Sequence, residues 1–469
     1  MNRRDFLKAA GAGAAAFAAQ SFAWAAGRER PNVLIMLADD AGYADLSCFG
    51  SPNIKTPNLD ALASRGVRFT DFYASAPNCS PSRAGLLTGR FPARTGIYSY
   101  VPHGGGPMHL PETEITIAQL LKQRGYDTCH VGKWHLSHLD RPSQPQPRDF
   151  GFDHSLGTSN NAMPTHKNPV NFVRNGKPVG KVDGYSCQVI VDEGISWLNG
   201  RRDKTRPFFM YVCFHEPHER LASPPELVAR HKDYHNPNKK KRAKMPVYFG
   251  CVENMDAAAG RLLKHLDETG LSRNTIVLFY SDNGSVHPES NTPLRERKSF
   301  VWDGGIRVPA VMRWPGHIRA GSTCSVPVGG VDMLPTLCEI TGARAPADRR
   351  IDGGSILGVI EGKPARPGRP LYWFFYRTKP SIAVRQGDWT LVAYLEAADH
   401  RFSHSIDARA MAYLKKAKPV RFELYNMRSD VRQRDNLASR EPRVLEAMKR
   451  TLLDLHQDVV AEGPVWRWK

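Results

Sequence analysis

The sequence predicts an α/β fold: a large, mostly parallel sheet flanked by helices, then a small C-terminal antiparallel sheet with a closing helix. Three observations point there. Residues 31–38, 207–214 and 275–280 are unbroken apolar runs, the pattern of strands buried on both faces. Helical patterns of apolar residues lie between them. Beyond residue 346 Pro, Gly and Arg become dense, and short strand-like runs separated by turn signals follow. A chain of 469 residues exceeds one small core. The expected units are a targeting segment at 1–25, a large α/β domain at 26–365 and a small α+β unit at 366–469.

In the first unit, Arg3 and Arg4 precede an Ala-rich apolar stretch, and Ala23-Trp24-Ala25 is an A-x-A cleavage site. The stretch is too short and too weakly hydrophobic for a stable membrane span. It looks like a twin-arginine signal, whose export machinery carries folded chains. A plain secretory signal would also mean export, so a periplasmic or secreted protein is expected.

The run 31–38 ends in Asp39-Asp40. Ligands of open α/β sheets bind beyond the carboxyl ends of strands. Adjacent acids there need a cation or hydrogen bonds, unless they are only a helix cap and a surface acid. Residues 57–66 read as an amphipathic helix closed by glycine, and 67–73 as a strand. Cys79-Ser80-Pro81-Ser82-Arg83 then opens a helix, with Asn78 or Ser80 as N-cap, Pro81 at the first helical position and Gly89 at the end. A thiol at that N-terminus, near Arg83, is expected to have a lowered pKa. An incidental cysteine at a helix start is the plainer alternative.

Residues 116–124 form the next helix, closed by Gly125. A strand at 127–132 leads to Lys133-Trp134-His135, a cation and a proton carrier at another strand end. Residues 136–184 read as long loops. His103, His138, Asn160, His166 and Arg174 are candidate substrate contacts, and each also reads as an ordinary surface residue. After a helix at 186–199, the run 207–214 ends in His215-Glu216-Pro217-His218. Two close histidines invite a metal, but Pro217 forbids a helical arrangement across them. The basic run Lys239-Lys240-Lys241-Arg242 with Lys244 is a solvated loop or a substrate contact. A long helix at 246–268 precedes the run 275–280, which ends in Ser281-Asp282-Asn283-Gly284. Asp-Asn-Gly alone fits a hairpin; the helix and the unbroken run favour a parallel strand. Then come a strand at 308–314, a helix at 332–341, short strands at 371–376, 382–386 and 389–395, and a helix at 442–459.

The formal charge is +19, and removal of the first segment leaves about +17. Such a chain attracts polyanions. No nucleic-acid recognition motif is present, which leaves a sulfated polysaccharide. Eight cysteines without a CxxC pair argue against zinc. Cys129, Cys213 and Cys338 read as buried thiols, and pairing of Cys187, Cys251 or Cys324 stays open. If the strand ends at Asp39-Asp40 and Asp282-Asn283 share one sheet, their oxygens can meet. An all-oxygen, carboxylate-rich site suits a hard cation, Ca²⁺ before Mg²⁺, one per chain.

Cys79-x-Pro81-x-Arg83 followed by Leu87-Thr88-Gly89-Arg90 resembles the signature of type I, formylglycine-dependent sulfatases, an arylsulfatase-like group of the alkaline-phosphatase superfamily. Gly125-Tyr126-x-Thr128 through Gly132-Lys133-Trp134-His135 resembles the second sulfatase signature. His218 matches the family's substrate histidine, with Glu216 where Ala is usual. Lys298 and Asp303-Gly304-Gly305-Ile306-Arg307-Val308-Pro309 match a third segment, with Asp303 for Glu and Arg297 for Gly. Glu423-Leu424-Tyr425-Asn426 and Asn436-Leu437-Ala438 resemble a late one. The likeness runs from Pro31 to about Asp435.

The resemblance implies an alkaline-phosphatase-like fold and hydrolysis of a sulfate ester. It implies that a separate maturation enzyme oxidises Cys79 to formylglycine. Asp39, Asp40, Asp282, Asn283 and an oxygen of the modified Cys79 would hold the cation, while Arg83, Lys133, Lys298 and His218 supply a positive field. One hydroxyl of the hydrated aldehyde would attack sulfur, His218 and Lys298 would assist the departing alcohol, and His135 would help expel sulfate. The expected substrate is a sulfated glycan. The rival readings are a phosphodiesterase or phosphonate hydrolase on the same scaffold, and a non-catalytic sulfated-glycan-binding protein with Cys79 left as a thiol.

Overall fold

The computed structural model describes residues 30–102, 106–200, 202–234, 244–363, 369–397, 402 and 406–468. The expected targeting segment, His103 and the run from Lys239 to Arg242 lie outside the described residues. Eleven strands form one sheet: β1 (Asn32–Asp39), β2 (Val67–Tyr73), β3 (Asp127–Lys133), β4 (His154–Thr158), β5 (Phe172–Arg174), β6 (Lys177–Gly180), β7 (Phe208–Pro217), β8 (Thr275–Ser281), β9 (Arg307–Arg313), β10 (Ser322–Cys324) and β11 (Val328–Gly329). Their order is β10-β2-β9-β8-β1-β7-β3-β4-β5-β6, with β11 also paired to β2. Pairing is parallel through the centre and antiparallel around β9 and at β5 and β6. A second, antiparallel sheet holds β12 (Leu371–Phe375), β13 (Ser381–Gln386), β14 (Trp389–Leu395) and β15 (Pro419–Asn426). The longer helices are α1 (Pro57–Ser64), α2 (Cys79–Thr88), α3 (Ile117–Gln123), α4 (Ser186–Gly200), α5 (Met245–Glu268), α6 (Met333–Thr341), α7 (Ala408–Lys416) and α8 (Pro442–Glu462).

The alternation of strand side chains explains why the central runs are apolar throughout. Val33, Ile35 and Leu37 of β1 join the core beneath α2, α3, α6 and the small sheet. Leu34, Met36 and Ala38 point the other way, into the core beneath α1, α4 and α5. The small sheet belongs to the first core: Trp373 packs on Tyr73, with ring centroids 5.2 Å apart, and its indole N–H donates to the Ala74 carbonyl at 2.8 Å. Arg94 ties α8 down through ion pairs to Asp458 and Glu462. Among the described residues, no helix is long and apolar enough to cross a membrane.

Several local expectations are corrected. Residues 154–158, 172–174 and 177–180 are strands rather than loop, because they extend the sheet edge as pieces too short for a hydrophobic period to register. Helix α1 stops at Ser64, and Gly66 is instead required by packing: a Cβ there would stand 2.1 Å from the Met312 carbonyl oxygen. Pro81 is the third residue of α2, not the first. Asn78 occupies the N-cap without a side-chain cap bond, and the Ser80 hydroxyl accepts from the Val101 N–H. All eight cysteines are free thiols.

Gly132 shows how tightly β3 meets β7. Its φ is +105°, and a Cβ would stand 1.8 Å from the Cys213 carbonyl oxygen. Gly132→Ala is expected to lower unfolding stability by about 2 kcal/mol or more. A denaturant midpoint equal to that of the wild type would contradict this.

Candidate active site

Four neighbouring strands bring the site to one edge of the sheet. In the order β8, β1, β7, β3 they run parallel, so their carboxyl ends stand side by side. β8 delivers Asp282 and Asn283, β1 Asp39 and Asp40, β7 His215 and His218, and β3 Lys133. The Asp282 N–H donates to the Ala38 carbonyl at 3.0 Å, which carries the pairing up to the acids. Asp40 leaves its strand with a φ of 66°, a left-handed conformation that aspartate tolerates. That turn lets its N–H donate to Asp282 Oδ1 at 3.2 Å. β2 runs in the same direction, two antiparallel steps away across β9, and the chain beyond it opens α2 at Cys79.

The side chains interlock, with Lys298 and His218 partly exposed and the others buried. Arg83 donates from Nη2 and Nε to Asp282 Oδ2, at 2.8 and 3.1 Å, and from Nη1 to the Lys133 carbonyl at 2.8 Å. Lys133 Nζ lies 2.5 Å from Asp39 Oδ2. Lys298 Nζ holds both oxygens of Asp40, at 2.6 and 2.8 Å, and Asn283 Nδ2 donates to Asp40 Oδ1 at 2.7 Å. His218 Nε2 faces Asp40 Oδ2 at 3.5 Å. Arg83, Lys133, Asp39 and Asp282 are fully buried. Asp39, Asp40, Lys133, His218, Asp282 and Asn283 therefore meet, with Arg83 and Lys298 among them.

Two features of this cluster fit a divalent cation. Asp39 Oδ1 and Asn283 Oδ1 are buried with no hydrogen-bond partner, a costly state for an acceptor. Burial, and then the charge of Asp39, push the Asp282 carboxyl up to about 7 against the pull of Arg83. A divalent cation would relieve both, and the oxygen donors suit a hard ion. Asp39, Asp40 and His218 also offer ligand atoms all within 4.8 Å of one another. Burial disfavours the Asp39 charge, yet Lys133, His218, Arg83 and Lys298 together hold its carboxyl well below the usual range.

Cys79 departs from expectation. Burial raises its thiol pKa, and the attraction of Lys133 and Lys298 does not offset it, while Asp39 and Asp282 raise it further. An unmodified Cys79 is thus a poor thiolate. Burial also lowers the pKa of His135 and His218, so both are neutral near pH 7. His135 adopts a φ of 56°, and its Nε2 lies 3.1 Å from the Val101 carbonyl. That nitrogen must carry the proton, leaving Nδ1, buried and without a partner, as a proton acceptor.

Other candidates scatter. His215 and His166 lie buried behind the cluster; His215 Nε2 meets Thr158 Oγ1 at 2.7 Å. Glu216 turns away to accept from the Ser186 hydroxyl and the Cys187 N–H at the start of α4. His138 and Asn160 are buried in the connection after β3 and in that after β4. Lys244, the described end of the basic run, pairs with Glu219 at 3.8 Å. Arg174 is held on β5 by Glu193. Two residues without any motif signal sit at the rim: the Tyr100 ring lies 6.2 Å from that of His135, and the Arg377 guanidinium is 5.3 Å from the centre of Tyr100.

A family model described as Sulfatase matches residues 31–343. The chain belongs to the sulfatase family. This sulfatase is accordingly a sulfuric ester hydrolase of α/β fold. A second model, N-sulphoglucosamine sulphohydrolase, C-terminal, matches residues 296–410. N-acetylgalactosamine-6-sulfatase of Rattus norvegicus is 33% identical over 391 residues, covering 76% of this chain and 70% of that one. Arylsulfatase A of Homo sapiens is 32% identical over 466 residues, covering 90% and 87%. Among solved structures, Ps i-CgsB superposes with a TM-score of 0.80 at 27% identity, over 94% of this chain and 95% of that one.

The placement of Arg174 has a pH signature. Burial opposes ionisation of Glu193, but hydrogen bonds from His154 and Arg174 hold its carboxyl down at about 2. A carboxyl lowered in the folded state stabilises above its ordinary pKa of 4.5 and loses that contribution as pH falls through about 2. Glu193→Gln is expected to be less stable than the wild type by about 1–3 kcal/mol at pH 7. In pH-dependent melts the gap should close between pH 4.5 and 2; a gap constant with pH would contradict the assignment.

Proposed function

We propose that this sulfatase is an exported enzyme that removes a sulfate ester from a sulfated carbohydrate, using a formylglycine made from Cys79 and one bound Ca²⁺. The observation that carries the reading is the meeting of Asp39, Asp40, Asp282 and Asn283 with Arg83, Lys133 and Lys298, within electrostatic reach of Cys79. When present, the cation neutralises a sulfate oxygen and the hydrated aldehyde at position 79 provides the attacking oxygen.

The chain's own residues do the rest. Arg83 anchors Asp282 and cannot lose its charge, so the positive field persists across pH. Lys133 and Lys298 extend it over the sulfate, as positioned cations do for related group transfers. Lys298 donates to the ester oxygen that departs with the alcohol; His218, whose Nδ1 donates to the Glu219 carbonyl, assists there once a proton reaches its Nε2. His135 accepts a proton at Nδ1, the nitrogen left free by its bond to Val101. Burial of the cluster excludes bulk water and strengthens each of these interactions.

Carbohydrate is favoured by the +19 charge and by the relatives. One is named an N-acetylgalactosamine-6-sulfatase, and Ps i-CgsB has been solved in complex with k-i-k-neocarrahexaose. The twin arginines favour export after a maturation enzyme has acted on Cys79 inside the cell, with the protein delivered to the periplasm or beyond.

Peptide mass spectrometry of the Cys79 segment, from cells containing the maturation enzyme, is expected to show loss of the thiol and gain of an aldehyde. Cys79→Ser is expected to fold normally and to lose at least 1,000-fold in kcat on an aryl sulfate, on the order of 4 kcal/mol of barrier. An unmodified Cys79 in an active enzyme, or an unchanged kcat in the variant, would refute the reading.

A further inference from the structure

Arg377 lies in the turn between β12 and β13, so it is carried by the small sheet while the reacting groups belong to the large one. The same turn is pinned by Lys379, whose ammonium packs 4.9 Å from the centre of Trp302. The Arg377 guanidinium stands 5.3 Å from the centre of the Tyr100 ring and also bonds to its hydroxyl. Tyr100 in turn is 6.2 Å, ring to ring, from His135, and its hydroxyl is within electrostatic reach of Cys79 and Lys298. One aromatic ring therefore separates Arg377 from the reaction centre.

The second observation is charge. Arg83, Lys133 and Lys298 are each matched by a carboxylate. Arg377 makes no ion pair among the described residues, and its Nε is buried without a hydrogen-bond partner. A partly buried guanidinium without a counter-ion is costly to hold. Tyr100 holds the guanidinium through its ring and hydroxyl, and the Nε–H is left without a partner, a charged donor group of the kind that binds a sulfate or carboxylate.

We propose that Arg377, held by Tyr100, is a specificity-determining residue that binds a second oxyanion, a sulfate or a carboxylate, on the same saccharide whose sulfate ester is cut. The inference rests on the sulfatase reading above. It makes the preferred substrate a saccharide with at least two anionic groups, one at the cation cluster and one at the rim.

The test compares kcat/KM of wild type, Arg377→Ala and Arg377→Lys on three saccharides that share one scissile ester. The first has no other charge, the second carries a second sulfate, and the third carries a uronic carboxylate. Wild type is expected to prefer one dianionic saccharide by tenfold or more, and which of the two identifies the oxyanion. In Arg377→Ala that preference should collapse at least tenfold, mainly through KM, with partial recovery in Arg377→Lys. No preference in the wild type, or an unchanged preference in Arg377→Ala, overturns the inference. A wild type inert on all three saccharides and on an aryl sulfate would instead remove the sulfatase reading beneath it.

Discussion

Asp39, Asp40 and Asp282 stand together, buried, at one edge of the sheet, and their mutual repulsion is the constraint that the surrounding residues answer. Burial weakens solvation of each carboxylate and lengthens the reach of its field. Three cations are spent on them within the chain: Arg83 on Asp282, Lys133 on Asp39 and Lys298 on Asp40. Even so, Asp39 Oδ1 and Asn283 Oδ1 are left bare, and Asp282 resists ionisation. Those bare oxygens are where a hard cation would sit, and that cation, with Lys133 and Lys298 beside it, would draw an anionic ester.

The scaffold makes so costly an arrangement possible. Each central strand is sealed by a core on both faces, so the strand ends cannot part to admit water. Gly132 lets β3 lie against β7 with no side chain between them, which sets the base of Lys133 beside the acids. Left-handed backbone at Asp40 and His135 turns two side chains back over the strand ends instead of out to solvent. The small sheet adds a rim from elsewhere in the chain, seated through Trp373 on the core beneath α2.

Much of this was legible in the residues, for reasons that can be named. The runs at β1, β7 and β8 are buried on both faces, so composition alone marks them; the polar residues that stop β1 and β8 meet at the edge, whereas at β7 it is His218, past the first two, that does. That a helix opens near Cys79 was also readable, though its first residue was not; the thiol was misjudged because the pull of a helix N-terminus is smaller than the cost of full burial, which only packing reveals. Strands β4, β5 and β6 were invisible because short edge pieces carry too few residues to show a period. Arg174 looked like a substrate contact until tertiary pairing placed it on Glu193. Tyr100 and Arg377 are far apart in sequence and carry no motif, so only the docking of the two sheets brings them together.

The claim that the acids and the amide gather a cation is tested most directly by calorimetric titration of Ca²⁺ into chelator-stripped protein, wild type beside Asn283→Leu. That substitution removes one bare oxygen while sparing the Arg83–Asp282 pair. The expected result is one ion per chain in the wild type and an affinity at least 100-fold weaker in the variant, about 3 kcal/mol. Equal affinity in the two proteins, or no binding to the wild type, would contradict the account.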